Sequence, residues 1–321
     1  MSDTYSIGVD LGATNLRIAS YSDESGLLES ILLPTRLGEG HDRVIRDLCE
    51  AIASLKNECS RRRLVGIGIG TPGPLELPEG ILRNPPNLPG WDNFDLRSAV
   101  EKTLGHSVEV ESDANTAAFA EMRLGAGRKH GVDSLCVLTL GTGVGNGLVL
   151  EKNIWHGSTG MGGEAGHCVV RDENGEACGC GGSGCLEQYA SATAIVRMAR
   201  ERMAEEAPTT AHGVFLLASQ GEPRAISVFQ TVGHSLAIGL TGLVNTLNLP
   251  LYLLAGGVSE AWEMFAPAMF GTLRDRSYVY RLTEPENRNP EVLERHKTYI
   301  LRAQLGASAS LLGACLLPYR S

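Results

Sequence analysis

The sequence predicts an α/β protein built from two related halves. Three observations lead there. Glycine is abundant, at 39 of 321 residues, and it collects after short β-rich runs, where turns at strand ends require it. A strand–glycine turn–strand unit occurs twice, once near the start of the chain and once near its middle. Segments with apolar residues at helical spacing separate and follow these units.

The first unit has a strand at residues 6–10, a turn at Gly12, Ala13, Thr14 and Asn15, and a returning strand at 16–21. In the segment 42–61, Val44, Ile45, Leu48, Ile52 and Leu55 recur at helical spacing, which predicts a helix. Residues 64–70 are a further strand. The second unit is the strand 135–140, the turn 141–145 and the strand 147–151. Leu-Gly stands at the strand exit in both, at Leu11-Gly12 and Leu140-Gly141. Helices are expected over 191–206 and 225–248. A strand is expected over 251–255, ending in the turn 256–259. Residues 301–317 read as one apolar helix whose Ala and Gly residues favour close packing. Residues 204–224 read as a polar, weakly patterned connection without function. The most irregular loop is 85–90.

The chain is long enough for one large or two medium domains, and 43% of its residues are hydrophobic. Charged residues, at 20%, exclude a disordered or fibrous chain. A net charge of -9 argues against nucleic acid or an anionic membrane as the main partner. Anionic small molecules stay open, because backbone N–H groups bind phosphate whatever the net charge. No run of about 18 apolar residues predicts a membrane span. Residues 1–6 are polar and lead into a strand, not into an apolar signal segment, so the expected compartment is the cytoplasm. A disulfide framework is not expected there. Cys49, Cys59, Cys136 and Cys315 sit in apolar or helical contexts and read as buried small hydrophobes. The other four cysteines cluster between 168 and 185, which calls for a cause.

No G-x-x-x-x-G-K-[ST] run occurs, which excludes a P-loop. Two G-x-G-x-x-G matches, at 68–73 and 179–184, open no helix, and the first contains Pro72. Both read as coincidences in a glycine-rich chain. The run from Asp10 to Arg17 is more informative. Gly12 lets the backbone approach a phosphate, Thr14 and Asn15 can donate to its oxygens, and Arg17 offers a charged fork. Asp10, at the strand end, suits a metal-bound water. Gly141, Thr142 and Gly143 form a second turn of this kind. Each turn alone reads equally as a tight hairpin, but two related turns in one chain favour phosphate.

His167, Cys178, Cys180 and Cys185 supply one imidazole and three thiols. Gly179, Gly181, Gly182 and Gly184 permit the tight loop that brings them together. One His and three Cys make a closed structural zinc set with no open position for water. Cys168, next to His167, would point the other way on a strand and stays outside the set. The alternative is a loop of free thiols, which would be an oxidation hazard.

At this point the residues resemble a known family. Glu164-Ala165-Gly166-His167, followed by the run from Cys178 to Glu187, resembles the signature of the ROK family (repressors, open reading frames, kinases). Further blocks fit in order at 10–17, 68–73, 84–91, 111–121, 140–147 and 254–259, so the resemblance covers nearly the whole chain. The zinc block is specific to the family. The phosphate turns are shared with the wider actin and hexokinase superfamily.

The resemblance implies a two-lobed, actin-like and ribonuclease-H-like ATPase fold, with the active-site cleft between the lobes. The expected lobes are residues 1–116, completed by a C-terminal helix at 300–321, and residues 117–299, carrying the zinc loop. ATP with Mg2+ is expected at the two phosphate turns. Gly256 and Gly257 are expected against adenosine or ribose, with a plain strand-to-helix turn as the alternative. Structural Zn2+ is expected on His167, Cys178, Cys180 and Cys185.

The run from Glu111 to Asn115 resembles the family's catalytic loop. Asp113 then matches the general base that takes the proton of the attacking sugar hydroxyl. Phosphoryl transfer has a loose transition state, so orienting that hydroxyl is the main task. By spacing alone, Asp113 reads as the N-cap of a helix over 114–122. By resemblance, Asn87, Asn115, Asp113, Glu164, His167 and Glu187 hold the sugar. Taken singly, Glu164 and Glu187 would read as solvated charges. His167 then has two roles, one ring nitrogen on zinc and the other on a sugar hydroxyl. The metal organises the sugar site and is not a Lewis acid at the phosphate. Ala13 stands where many relatives have a second glycine, and requires a negative φ.

The expected function is ATP-dependent phosphorylation of a hexose. Glucose, at its 6-hydroxyl, is favoured because the run from Cys185 to Ser191 resembles bacterial glucokinases of the family. Mannose, fructose or an N-acetylhexosamine are the alternatives. A sugar-responsive repressor would carry an N-terminal helix-turn-helix, whereas the first strand here begins at Ser6. Arg61, Arg62 and Arg63 form an isolated basic patch at a helix end, where cations suit the dipole. A sugar-binding protein without catalysis is disfavoured by Asp10 and Asp113. The expected partners are sugar and nucleotide, with no nucleic acid and no membrane. Self-association as a homodimer or homotetramer is implied by the resemblance.

Overall fold

In a computed structural model of the chain, residues 4–320 are described. They form two compact units. The first comprises the chain through Gly125, Gly147–Gly163, and the chain from Ser308 onward. The second comprises Ala126–Asn146 and Glu164–Ala307.

The first unit opens with β1 (Thr4–Leu11), β2 (Asn15–Ser22) and β3 (Gly26–Pro34). Helix α1 (His41–Glu58) leads to β4 (Arg63–Thr71). Three short strands follow, β5 (Leu75–Glu76), β6 (Ile81–Leu82) and β7 (Phe94–Asp95), then α2 (Leu96–Leu104) and β8 (Val108–Ser112). The main sheet has the order β3-β2-β1-β4-β8. Pairing is antiparallel from β3 to β1 and parallel from β1 to β8. Residues 5–11 of β1 are all buried, as a central strand covered on both faces requires. Helix α1 turns Val44, Ile45, Leu48, Ile52 and Leu55 inward, as the spacing predicts.

The chain continues through α3 (Asp113–Arg123), α4 (Ala126–His130), β9 (Leu135–Leu140), β10 (Val144–Leu150) and β11 (Asn153–Ile154). After the loop carrying His167 come α5 (Glu187–Ala190), α6 (Ala192–Met203), α7 (Ala211–Ser219) and α8 (Pro223–Leu247). Then follow β12 (Leu251–Ala255), α9 (Trp262–Arg276), α10 (Tyr278–Thr283), β13 (Tyr299–Arg302) and α11 (Ala309–Leu316). The second sheet has the order β11-β10-β9-β12-β13. In each sheet the strands run third, second, first, fourth, fifth along the chain. The duplicated hairpin thus belongs to a duplicated sheet.

Helix α8 is long and apolar enough to cross a membrane by length and composition alone. Its stripe Val228, Val232, Leu236, Leu240 and Val244 is fully buried, and it packs against α6, α7 and α9. It is therefore the core helix of the second unit.

Three expectations are corrected. Residues 301–317 are not one helix: Leu301 and Arg302 close β13, which pairs with β12, and α11 starts only at Ala309. Residues 204–224 are not a bare connection, because they contain α7. Thr210 caps it by accepting from the Gly213 N–H, and Val214 and Ala218 bury one side. The first unit does not stop at 116. It takes in all of α3 and residues 147–163, since α3 packs on α11 and Gly147 sits on the Ala114 carbonyl, where a side chain would clash. The close packing expected of the C-terminal helix is present. A Cβ at Gly8 would lie 2.5 Å from the Cys315 nitrogen, and one at Gly313 would lie 2.8 Å from Thr116 Cα.

Candidate active site

The β1–β2 turn is held from inside. The Gly12 N–H donates to the Asn15 carbonyl at 3.0 Å, and the Thr35 hydroxyl donates to the Gly12 carbonyl at 2.7 Å. Ala13, Thr14 and Asn15 are exposed on its outer side, where a phosphate could meet them. Ala13 keeps a negative φ, so the turn tolerates its methyl group. Asp10 is buried at the end of β1. Arg17 pairs with it, and Ser310 donates to its Oδ1 at 2.8 Å. A buried carboxylate needs such partners, so the Arg17 fork expected for phosphate is shared with Asp10. Ser310, on α11, was not among the expected residues. Its hydroxyl also lies 3.1 Å from that of Thr116, which donates to the Asp113 carbonyl at 2.8 Å. Ser310→Ala is expected to lower the unfolding free energy by about 1.5–3 kcal/mol in urea titration, as loss of a hydrogen bond to a charged group does.

Asp113 is the first residue of α3, directly after β8, and the N-cap position falls to Ser112. Asp113 therefore does not occupy the N-cap position that spacing offered it, and the Ser112 side chain makes no capping hydrogen bond. Asn115 is buried. Its Nδ2 donates to Glu111 Oε1 at 3.0 Å, and its Oδ1 has no hydrogen-bond partner in the protein. Glu111 is 1% exposed. It accepts from the Ser112 N–H at 3.0 Å, from Arg320 at 3.1 Å, and lies 2.6 Å from His156 Nε2. Burial pushes its carboxyl up, but His156, Arg320 and Asn115 together hold it below the ordinary carboxylate range. Asn87 is exposed on the 85–90 loop, next to the buried Leu88.

In the second unit, the β9–β10 turn repeats the construction of the first. The Gly141 N–H donates to the Gly143 carbonyl at 3.0 Å, and Thr193 donates to the Thr142 carbonyl at 2.8 Å. A cavity of about 290 Å³ opens beside it, lined by Gly141, Thr142, Ile195, Phe215, Phe229, Gly257, Val258 and Glu260, among others. The turn at 141–143 and the turn after β12, far apart in sequence, therefore wall one space. Its apolar sides and polar rim suit a flat ring with a polar tail. Gly256 has φ +83, and a Cβ there would lie 2.5 Å from the Leu140 carbonyl oxygen, so only glycine fits. At Gly257 a Cβ would meet nothing, which leaves that side open to a ligand. Sequence reasoning missed Ile195 on α6 and Ala211, His212 and Phe215 on α7, which line the same cavity. The capping Thr210 ahead of an apolar run was the available signal.

The loop after Glu164 gathers the expected metal ligands. One ligand atom from each of His167, Cys178, Cys180 and Cys185 lies within 4.8 Å of the others. Cys180 Sγ is 3.7 Å from Cys185 Sγ, and Cys178 Sγ is 3.6 Å from His167 Nδ1. Tetrahedral Zn2+ with bonds of about 2.3 Å to sulfur and 2.0–2.1 Å to nitrogen requires S···S near 3.8 Å and S···N near 3.5–3.6 Å. The donor set therefore fits zinc. Burial pushes the Cys185 thiol up to about 12, with Cys180 and Cys178 adding to the effect, whereas the Gly182 backbone and the neighbouring thiols lower that of Cys180. A dication would reverse the first shift by favouring the thiolate. Cys168 is exposed and outside the set, as expected.

Binding a metal through Nδ1 leaves His167 Nε2 for other partners. That atom lies 3.9 Å from Glu164 Oε2. Burial raises the Glu164 carboxyl, opposed by His167 and reinforced by the like charge of Glu187. Glu187 accepts from the Val144 N–H at 2.9 Å, which ties the cysteine loop to the β9–β10 turn. Two carboxylates expected for sugar, Glu164 and Glu187, thus stand beside the metal ligands, and the third expected group, His167, is one of them.

Comparison with known proteins gives this arrangement a context. The model of the ROK family matches residues 6–320. A glucokinase from Halalkalibacterium halodurans is 36% identical over 82% of this chain and 83% of its own. A ROK hexokinase structure from Thermus thermophilus superposes with a TM-score of 0.80 at 35% identity, covering 98% of both chains. A ROK family glucokinase from Streptomyces griseus, in complex with glucose and AMPPNP, superposes with a TM-score of 0.79 at 29% identity, covering 99% of this chain and 100% of that one. The duplicated five-stranded sheet is that of the actin-like ATPase fold. With its family-specific cysteine loop and a match over nearly its full length, the chain belongs to the ROK family.

Proposed function

We propose that the protein is an ATP-dependent hexose kinase, and that it transfers the γ-phosphate of ATP to the 6-hydroxyl of glucose. The observation that carries this reading is the similarity to a glucokinase over more than four-fifths of both chains. The cavity beside Gly141, Thr142 and Gly257 supports adenosine binding in the second unit. Thr14 and Asn15 of the first turn, with Gly12 and Arg17, take phosphate oxygens. Mg2+ accompanies the nucleotide, neutralising charge on its phosphates. Asp10, the acidic group at the first turn, would hold it through water.

Asp113 is the base that orients the sugar hydroxyl and accepts its proton. Asn87, Asn115, Glu164, His167 and Glu187 are the sugar's hydrogen-bonding groups. Asn115 Oδ1 is buried and unpaired in the protein, which suits an acceptor waiting for a hydroxyl. Zn2+ on His167, Cys178, Cys180 and Cys185 would fold the loop and fix the His167 ring. It takes no part in phosphate transfer. We further propose a cytoplasmic location, which the use of ATP supports.

ADP release, measured with ATP and a panel of hexoses, tests the reading. Glucose is expected to give the highest kcat/KM, with mannose, fructose and N-acetylglucosamine at least about tenfold lower, the discrimination that one or two misplaced hydroxyls produce. A higher value for one of the others would replace glucose as the substrate. No ADP release with any hexose would reject the kinase.

A further inference from the structure

Glu111, His156 and Arg320 form a cluster outside the groups discussed as touching substrate. Four elements of the first unit converge on one carboxylate. Its Oε1 accepts from Asn115 Nδ2 and the Ser112 N–H, both at 3.0 Å. Its Oε2 takes His156 Nε2 at 2.6 Å and Arg320 at 3.1 Å. A buried charge satisfied on every side is rigid, and whatever it holds is rigid with it. What it holds, at the start of α3 and two residues after Asp113, is the Asn115 amide. An amide can turn over and exchange its donor for its acceptor at little cost when nothing fixes it. A carboxylate accepts and never donates, so Glu111 commits Asn115 to one orientation. Nδ2 faces Glu111, and Oδ1 is left buried without a partner.

We infer that Glu111 is a positioning residue of the sugar site, which fixes Asn115 so that its carbonyl oxygen is presented to a donating sugar hydroxyl. His156 extends the device. It precedes the glycine-rich stretch 157–163, and its carbonyl accepts from the Gly162 N–H at 2.8 Å, closing that stretch into a loop at its base. The Glu111–His156 contact therefore ties the base of this loop to the strand that leads into Asp113. The inference rests on the kinase reading, because it takes Asn115 as a sugar ligand.

The test is a double-mutant cycle on the full-length chain, reading glucose KM and kcat separately. Glu111→Ala is expected to raise KM by about tenfold or more, with kcat within about threefold. Glu111→Gln, whose amide can donate as well as accept, should recover only part of that loss. In an Asn115→Ala background, Glu111→Ala should raise KM no further, because there is no amide left to orient. A purely structural role for Glu111 predicts the same loss in both backgrounds, and that result would overturn the inference. So would an unchanged KM in Glu111→Ala. If Glu111→Ala does not fold, the half-buried His156 carries the same test. His156→Ala should raise KM about two- to fivefold in the wild-type background and not at all beside Asn115→Ala. An equal rise in both would again overturn it. Additive losses in an active enzyme reject this inference alone, whereas a wild-type chain inert toward hexoses rejects it together with the kinase reading.

Discussion

Asp113→Ala lowers kcat by about a thousandfold while the dissociation constant for glucose stays within about threefold, on the assignment of Asp113 as base. The two numbers separate because the carboxylate acts on one hydroxyl, whereas the sugar is held by several groups. In a loose transition state the attacking oxygen develops little charge, so a base gains most by aligning that oxygen with the phosphorus. Asp113 stands where it can do so repeatably. It begins α3, and α3 is packed against α11 tightly enough that Gly313 has no room for a methyl group. Calorimetric titration with glucose, beside a turnover assay, reads both quantities. Turnover within about tenfold of wild type would remove Asp113 from the base role. Lost glucose binding would make it a sugar ligand first.

The second large effect falls on the cysteine loop. Purified protein is expected to hold about one zinc per chain by elemental analysis, as a single four-ligand site implies. Cys180→Ser is expected to lose that zinc and to weaken glucose binding by about 10–100-fold, the range typical when a group behind a binding residue is removed. Cys180 is a suitable choice because it is exposed, so the substitution leaves no cavity. The argument runs through His167. Its Nδ1 faces Cys178, so a metal there fixes the ring and with it the direction of Nε2, on the side of Glu164. Glu187 follows two residues after the ligand Cys185 and reaches the Val144 N–H. Zinc loss with unchanged glucose affinity would confine the metal to local folding.

Much of this was legible in the sequence because the signals were local. The two Gly turns, the β12 exit at Gly256 and the spacing of Cys178, Cys180 and Cys185 each lie within a few residues, and each appears where expected. The duplicated hairpin, being a short-range pattern, correctly announced the duplicated sheet. What escaped was long-range or short in pattern. Ser310 meets Asp10 across 300 residues of chain, and no spacing rule links them. Glu111 looked like part of a motif, but its burial and its contact with His156, 45 residues on, depend on the tertiary fold. Helix α7 has nine residues and only two of them buried, too few for a convincing period, yet it lines the cavity beside Thr142. In residues 301–317 composition misled, because β13 and α11 are both apolar and the break between them, at 303–308, carries only the weak signal of Gly306.

The most direct test of the account is the identity of the product. The protein is incubated with ATP, Mg2+ and glucose labelled with carbon-13 at C6, and the product is read by carbon and phosphorus NMR. The account predicts a new C6 resonance split by phosphorus, appearing in step with ADP. Phosphate at any other carbon, or ADP release without a labelled phosphate ester, would contradict it.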